Sequence, residues 1–144
     1  MRAMSERVES GSPMALEASS YGDPGEEWVI DAYGCDPSRL RDEGLLRSLL
    51  GRVVEEAGLH VLDAGYWHCF PGEAGVTGLI PLRESHLSVQ TYPERRFAAF
   101  NLYCCRRGCE WGWEDGLRGA IGAERVEVRK LERGRAERTS GARA

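Results

Sequence analysis

No stretch of this chain is apolar over enough residues to read as a membrane span, and its first residues carry no signal-peptide hydrophobic segment. Those two absences make a cytoplasmic protein the expectation. No CxxC pair occurs among the five cysteines, Cys35, Cys69, Cys104, Cys105 and Cys109. An odd count without a secretory segment argues against a disulfide framework. Cys105, Cys109 and His68 carry zinc-ligating atoms, but their spacing fits no finger or ribbon, so no metal is expected. A positive surplus is also missing. Lys and Arg number 19 against 23 Asp and Glu, a net charge of −4, so nucleic acid is not an expected partner. There is no GxSxG elbow, no glycine-rich phosphate loop, no Rossmann-type strand–helix alternation and no internal repeat.

What is present is an ordinary globular composition. Hydrophobic residues make up 42% and charged residues 29% of 144 residues, which suits one domain with a single core. Residues 1–26 are rich in Ser, Gly, Pro and Glu with little apolar periodicity, and read as a disordered leader. The domain is expected over 27–134, and the charged, small residues 135–144 read as a disordered tail.

Within the domain the pattern predicts a strand over Glu27–Gly34 and a helix from about Arg41 to Ala57. Leu45, Leu46, Leu49, Leu50, Val53 and Val54 set the helical period, and Gly58 stops it. Strands are predicted over Leu59–Trp67 and Val76–Leu82, a second helix over Cys109–Ile121, and a last strand over Glu124–Leu131. Two amphipathic helices and a mostly antiparallel sheet predict an α+β two-layer sandwich.

Between the third strand and the second helix lies Arg83–Cys105, RESHLSVQTYPERRFAAFNLYCC. Two β-like runs flank a turn at Tyr92–Arg96, where Pro93 cannot donate to a ladder. Reactive side chains crowd here: Glu84, Ser85, His86, Cys104 and Cys105. His86 follows Ser85 directly, so in a regular strand it points to the opposite face, which weakens a Ser-His hydrolase reading. By residue type alone, Ser85 also reads as a polar strand edge, Thr77 as a strand threonine and Cys105 as a small buried hydrophobe.

The motifs taken together resemble the small prokaryotic S-adenosylmethionine decarboxylase proenzymes, which are pyruvoyl-dependent. The resembling pieces are Asp31-Ala32-Tyr33-Gly34-Cys35-Asp36, His68-Cys69-Phe70 and Gly75-Val76-Thr77-Gly78. Glu84-Ser85-His86-Leu87, Thr91-Tyr92-Pro93-Glu94, Ala98-Ala99, Cys105 and Glu132-Arg133-Gly134 follow in order. The resemblance implies autocatalytic cleavage of a zymogen between Glu84 and Ser85. Ser85 Oγ attacks the Glu84 carbonyl, an ester replaces the peptide bond, and elimination followed by hydrolysis turns Ser85 into a pyruvoyl group with loss of ammonia. That ketone forms a Schiff base with the substrate amine and draws electrons during decarboxylation. Cys105 matches the cysteine that protonates the product carbanion. Thr77 matches a processing hydroxyl, Glu94 the carboxylate that takes the ribose diol, and Phe70 the aromatic beside adenine and sulfonium. His68 and His86 are implied to support. The cofactor is the self-derived pyruvoyl, with no metal; the partners are a small-molecule substrate and a second copy of the chain in a homodimer.

The chain departs from that pattern at Gln90, where the family has the histidine that takes the α-proton of the serine. An amide has no useful basicity near neutral pH. Asn101 stands where Asp is common, Arg106 where Gly is common after the cysteine, and Arg95-Arg96 add charge to the turn. The expected function is decarboxylation of S-adenosylmethionine, supplying the aminopropyl donor for spermidine biosynthesis. The alternatives are a pyruvoyl-dependent ornithine or arginine decarboxylase of the same descent, or an unprocessed non-catalytic homologue acting as a partner or regulator.

Overall fold

The computed structural model describes residues 24–134; most of the expected leader and all of the expected tail lie outside them. The elements are strand β1 (Glu26–Tyr33), helices α1 (Pro37–Leu40) and α2 (Glu43–Glu56), then strands β2 (Tyr66–Cys69), β3 (Val76–Leu82), β4 (Ser85–Tyr92) and β5 (Phe97–Cys104). Helix α3 (Trp113–Ile121) and strand β6 (Arg125–Glu132) complete the chain. The six strands form one sheet in the order β2-β3-β4-β5-β1-β6, and every pairing is antiparallel. No helix among the described residues is long and apolar enough to cross a membrane.

Period-two alternation decides which face is covered. Ile30, Ala32, Val76, Ile80, Leu82, Leu87, Val89, Ala98, Phe100 and Leu102 are buried and form one core with Leu46, Leu49, Leu50 and Val53 of α2 and Trp113, Leu117 and Ile121 of α3. The register aligns His68, Thr77, Gln90, Ala99 and Asp31 across five strands on the other face. No described helix covers that row, and a shallow cavity of about 410 Å3 lies over it. The expected two-layer α+β sandwich is present.

Caps and close approaches fix the helices and edges. Asp42 Oδ1 accepts from Leu45 N at 3.1 Å at the start of α2, satisfying one of the four donors that a helix start leaves without partners. Asp42→Ala is expected to cost about 1 kcal/mol, read as a lower urea midpoint at unchanged slope. A Cβ on Gly78 would lie 2.4 Å from the Trp67 ring, which crosses it from β2.

Three expectations are corrected. The strand predicted over Leu59–Trp67 forms only from Tyr66, with one isolated bridge between Val61 and Leu82 before it. Asp63 Oδ1 accepts from Gly65 N at 3.0 Å and Gly65 adopts a φ of 91°, so a local turn displaces the ladder. The second helix starts at Trp113, after Gly112, rather than at Cys109. A disulfide joins Cys104 to Cys109, which the cysteine count argued against. Cys104 ends β5 in the core and Cys109 is buried against it.

Candidate active site

Ser85 opens β4, and only Arg83 and Glu84 connect it to β3, where Leu82 pairs with Ser85. Two-residue hairpin loops favour positive φ at their central residues, because that matches the twist of the strands. Neither Arg83 nor Glu84 has positive φ; Ser85 does, at 146°. That conformation is nearly confined to glycine and costs roughly 1–3 kcal/mol for a residue with a Cβ. Strain is therefore held in the backbone of Ser85, on the C-terminal side of the Glu84–Ser85 peptide.

The same departure from regular strand geometry changes where His86 reaches. Its Nδ1 lies 3.2 Å from Ser85 Oγ, although adjacent residues of an ideal strand face opposite ways. That expectation is corrected: the twist at Ser85 brings its hydroxyl round to the imidazole. His86 packs edge-on against Tyr103, with ring centroids 5.9 Å apart.

The Glu84 carbonyl accepts from Cys105 N at 2.8 Å. A backbone N–H in that position can stabilise negative charge developing on the oxygen during nucleophilic attack. Cys105 follows Cys104, which pairs with Ser85 across the ladder, so the cysteine thiol and the serine hydroxyl belong to one end of the sheet. Cys105 lies outside the disulfide and is half-buried. Cys35 differs from it: burial pushes that thiol up to about 11, so it remains protonated at neutral pH. A cavity of about 630 Å3 opens beside Ser85 and His86, walled by Asp63, Tyr66, Leu79 and Pro81.

The remaining candidates stand elsewhere in the chain. Thr77 pairs directly with Gln90, and its hydroxyl donates to Gln90 Oε1. Gln90 is five positions along β4 from Ser85, about 17 Å at the strand rise. Glu94 lies in the 3-10 turn Pro93–Arg95 beyond the far end of β4, a strand that spans about 24 Å from Ser85 to Tyr92 at the same rise. Phe70 follows β2 near that far end, where Cys69 pairs with Val76, and stacks edge-on with His68 at 4.4 Å between centroids. One chain thus holds two separate groups: Ser85, His86 and Cys105 at one end, and Thr77, Gln90, Phe70 and Glu94 toward the other.

Two side chains around the Glu84–Ser85 bond carried no sequence motif. Glu84 is fully buried, and its carboxylate takes His60 N at 3.1 Å and His60 Nδ1 at 2.7 Å. Arg106 Nη2 lies 3.7 Å from the same carboxylate. Arg106 was notable in the sequence only as an unusual residue after Cys105; His60 had no distinguishing pattern. Among the described residues no group of three or more His, Cys, Asp or Glu side chains could hold a metal ion.

The family model described as S-adenosylmethionine decarboxylase matches residues 26–134. The S-adenosylmethionine decarboxylase proenzyme 2 of Bacillus cereus is 36% identical over 120 residues, covering 83% of this chain and 94% of that one. The S-adenosylmethionine decarboxylase proenzyme of Prochlorococcus marinus is 33% identical over 115 residues, 76% of this chain and 86% of the relative. That of Parasynechococcus marenigrum is 40% identical over 81 residues, a match that spans 56% of this chain and 62% of the relative's length. Among solved structures, the adenosylmethionine decarboxylase of Aquifex aeolicus superimposes with a TM-score of 0.66 at 26% identity. That match covers 76% of this chain and 89% of the other.

Proposed function

Because the chain belongs to the S-adenosylmethionine decarboxylase family, we propose that it cuts itself between Glu84 and Ser85 and then decarboxylates S-adenosylmethionine. The observation that carries this reading is the Glu84–Ser85 peptide itself. Ser85 is held at a φ of 146° with a hydrogen-bond donor on the carbonyl and an imidazole on the hydroxyl.

His86 Nδ1 takes the Ser85 hydroxyl proton as Oγ attacks the Glu84 carbonyl carbon. Negative charge gathers on the carbonyl oxygen, where Cys105 N–H donates. The C–N bond breaks, the amine of residue 85 takes a proton, and an ester joins Glu84 to Ser85 Oγ. Release of the backbone strain at Ser85 favours this shift. Removal of the α-proton of residue 85 then expels Glu84 as a carboxylate. The dehydroalanine left behind takes up water and loses ammonia.

A pyruvoyl group at residue 85 supplies a ketone that binds the substrate amine and accepts the electrons released with carbon dioxide. The fit rests on Ser85 bordering the 630 Å3 cavity with Cys105 at the same end of the sheet. Cys105 supplies the proton to the product carbon. Glu94 accepts hydrogen bonds from the ribose hydroxyls, and Phe70 stacks on the adenine and sulfonium end.

The distances within one chain call for a second copy. Thr77, Gln90, Glu94 and Phe70 reach Ser85 only if another molecule presents them, and the row on the uncovered sheet face offers the surface for it. The enzyme is a homodimer with sites shared between subunits, acts in the cytoplasm, and supplies the aminopropyl donor for spermidine. Sedimentation at the monomer mass would overturn the shared site.

Gln90 is the weak component for elimination, since its amide cannot take a proton. Gln90→His is expected to speed appearance of the cut fragments by roughly tenfold or more, within the range of general base catalysis. Intact mass over time reads the effect, and an unchanged rate would show that another group removes the α-proton. The reading as a whole is tested by intact mass and by carbon dioxide release from carboxyl-labelled S-adenosylmethionine. It expects two fragments, Met1–Glu84 and a pyruvoyl-blocked chain ending at Ala144, and release that ornithine and arginine do not give. A single uncut chain overturns the enzyme; release from ornithine or arginine alone overturns the substrate.

A further inference from the structure

Self-cleavage changes bonds only in the backbone of Glu84, and its side chain takes no part in them. A carboxylate in a two-residue hairpin loop ordinarily faces water. This one is fully buried, which is costly in desolvation unless the charge is well paired. Three segments meet to pair it. The stretch after α2 brings His60, whose N–H and Nδ1 reach the two carboxylate oxygens. The stretch after β5 brings Arg106, 3.7 Å away, with its Nη2 also donating to Gly58 O at 2.6 Å. The turn itself is tied back, since Arg83 N donates to His60 O at 2.8 Å.

We propose that His60 and Arg106 are positioning residues for self-cleavage, acting through the Glu84 carboxylate. They hold the Glu84 carbonyl against Cys105 N–H and keep Ser85 in its strained conformation. After the cut they face a doubled charge. Peptide cleavage converts the neutral Glu84 carbonyl into a main-chain carboxylate beside the buried side-chain one. The Arg106 guanidinium, adjacent in sequence to Cys105, supplies fixed positive charge there. It also keeps the cysteine segment in place when the covalent link is gone. This inference rests on the self-cleavage reading and names the residues of this chain that prepare the bond.

Hydroxylamine separates the steps. It attacks the ester carbonyl, forming a hydroxamate on Glu84 and releasing Ser85 with a free hydroxyl and amine. The fraction cut in its presence therefore measures ester formation without elimination, pyruvoyl or substrate. On freshly purified full-length chain, Arg106→Ala and His60→Ala are each expected to slow hydroxylamine-dependent cutting roughly 10- to 100-fold, the scale of an ångström-level misplacement. Arg106→Lys and His60→Asn, which keep the charge and the Nδ1-like donor, should recover most of the rate. In a Glu84→Gln background, adding Arg106→Ala should change the rate by about twofold or less, because the coupled group is gone.

Wild-type rates in both alanine variants would overturn the proposal. So would an undiminished Arg106→Ala effect in the Glu84→Gln background. Should the alanine variants fail to fold, Glu84→Gln alone decides: it removes the charge that His60 and Arg106 hold while keeping the scissile carbonyl. It is expected to slow hydroxylamine-dependent cutting roughly tenfold or more, and a wild-type rate in it would overturn the proposal. A wild-type chain that hydroxylamine never cuts overturns the self-cleavage reading, and this inference with it. A wild-type chain cut normally, with insensitive variants, overturns this inference alone.

Discussion

Ser85→Ala is expected to leave one uncut chain of 16.0 kDa and to abolish decarboxylation. Serine oxygen has two tasks in the proposed cut. It is the nucleophile that takes the Glu84 acyl group and then the leaving group in the elimination. Alanine has neither the lone pair nor the bond to break, so no bypass through His86 or water restores the same product. The substitution should hardly disturb the fold. Ser85 Oγ hydrogen-bonds with His86 Nδ1, a contact the fold does not depend on, and the ladder pairing to Leu82 and Cys104 uses the backbone. Intact mass and carbon dioxide release together check the result. Two fragments from the Ser85→Ala chain would place the cut elsewhere and remove the basis of the reading.

Cys105→Ala is expected to divide the two halves of the mechanism. The backbone N–H that donates to the Glu84 carbonyl remains, so the two fragments should still appear at near the wild-type rate. Turnover should not survive: loss of a positioned proton donor costs about 10²–10⁴ in rate. The measurement is carbon dioxide release per cut chain, with the fragment ratio determined in parallel. Cutting that fails together with turnover would mean that the thiol itself takes part in processing. Turnover that persists would assign the proton to another group, with His86 at the same end of the sheet as the first to test.

Much of the fold was legible because hydrophobic periodicity is a local property. The Leu45–Val54 pattern required a helix with one apolar face, and α2 buries Leu46, Leu49, Leu50 and Val53. The strand-favouring residue types of Phe97–Cys104 predicted a β-run, and β5 buries every second residue. The segment Leu59–Trp67 was misread because its apolar residues matched a strand while Asp63 and Gly65 supplied a turn. Disulfide pairing was misread because the count of cysteines says nothing about which two sulfurs the core brings together.

The candidate site divides along the same line. The residue types and their order carried the family, and with it the identities Ser85, Cys105, Thr77, Glu94, Phe70 and the unusual Gln90, since these are properties of the chain as written. Tertiary structure alone decided how they group. The antiparallel register sets Thr77 against Gln90 and Ser85 against Cys104, and the length of β4 keeps those two pairs apart. It also decided that Ser85, and not the turn residues before it, bears the positive φ. The Glu84 carboxylate is buried against His60 and Arg106, residues 24 and 22 positions away in the sequence. No local pattern encodes such a meeting, because it depends on where two distant segments come to rest around one hairpin turn.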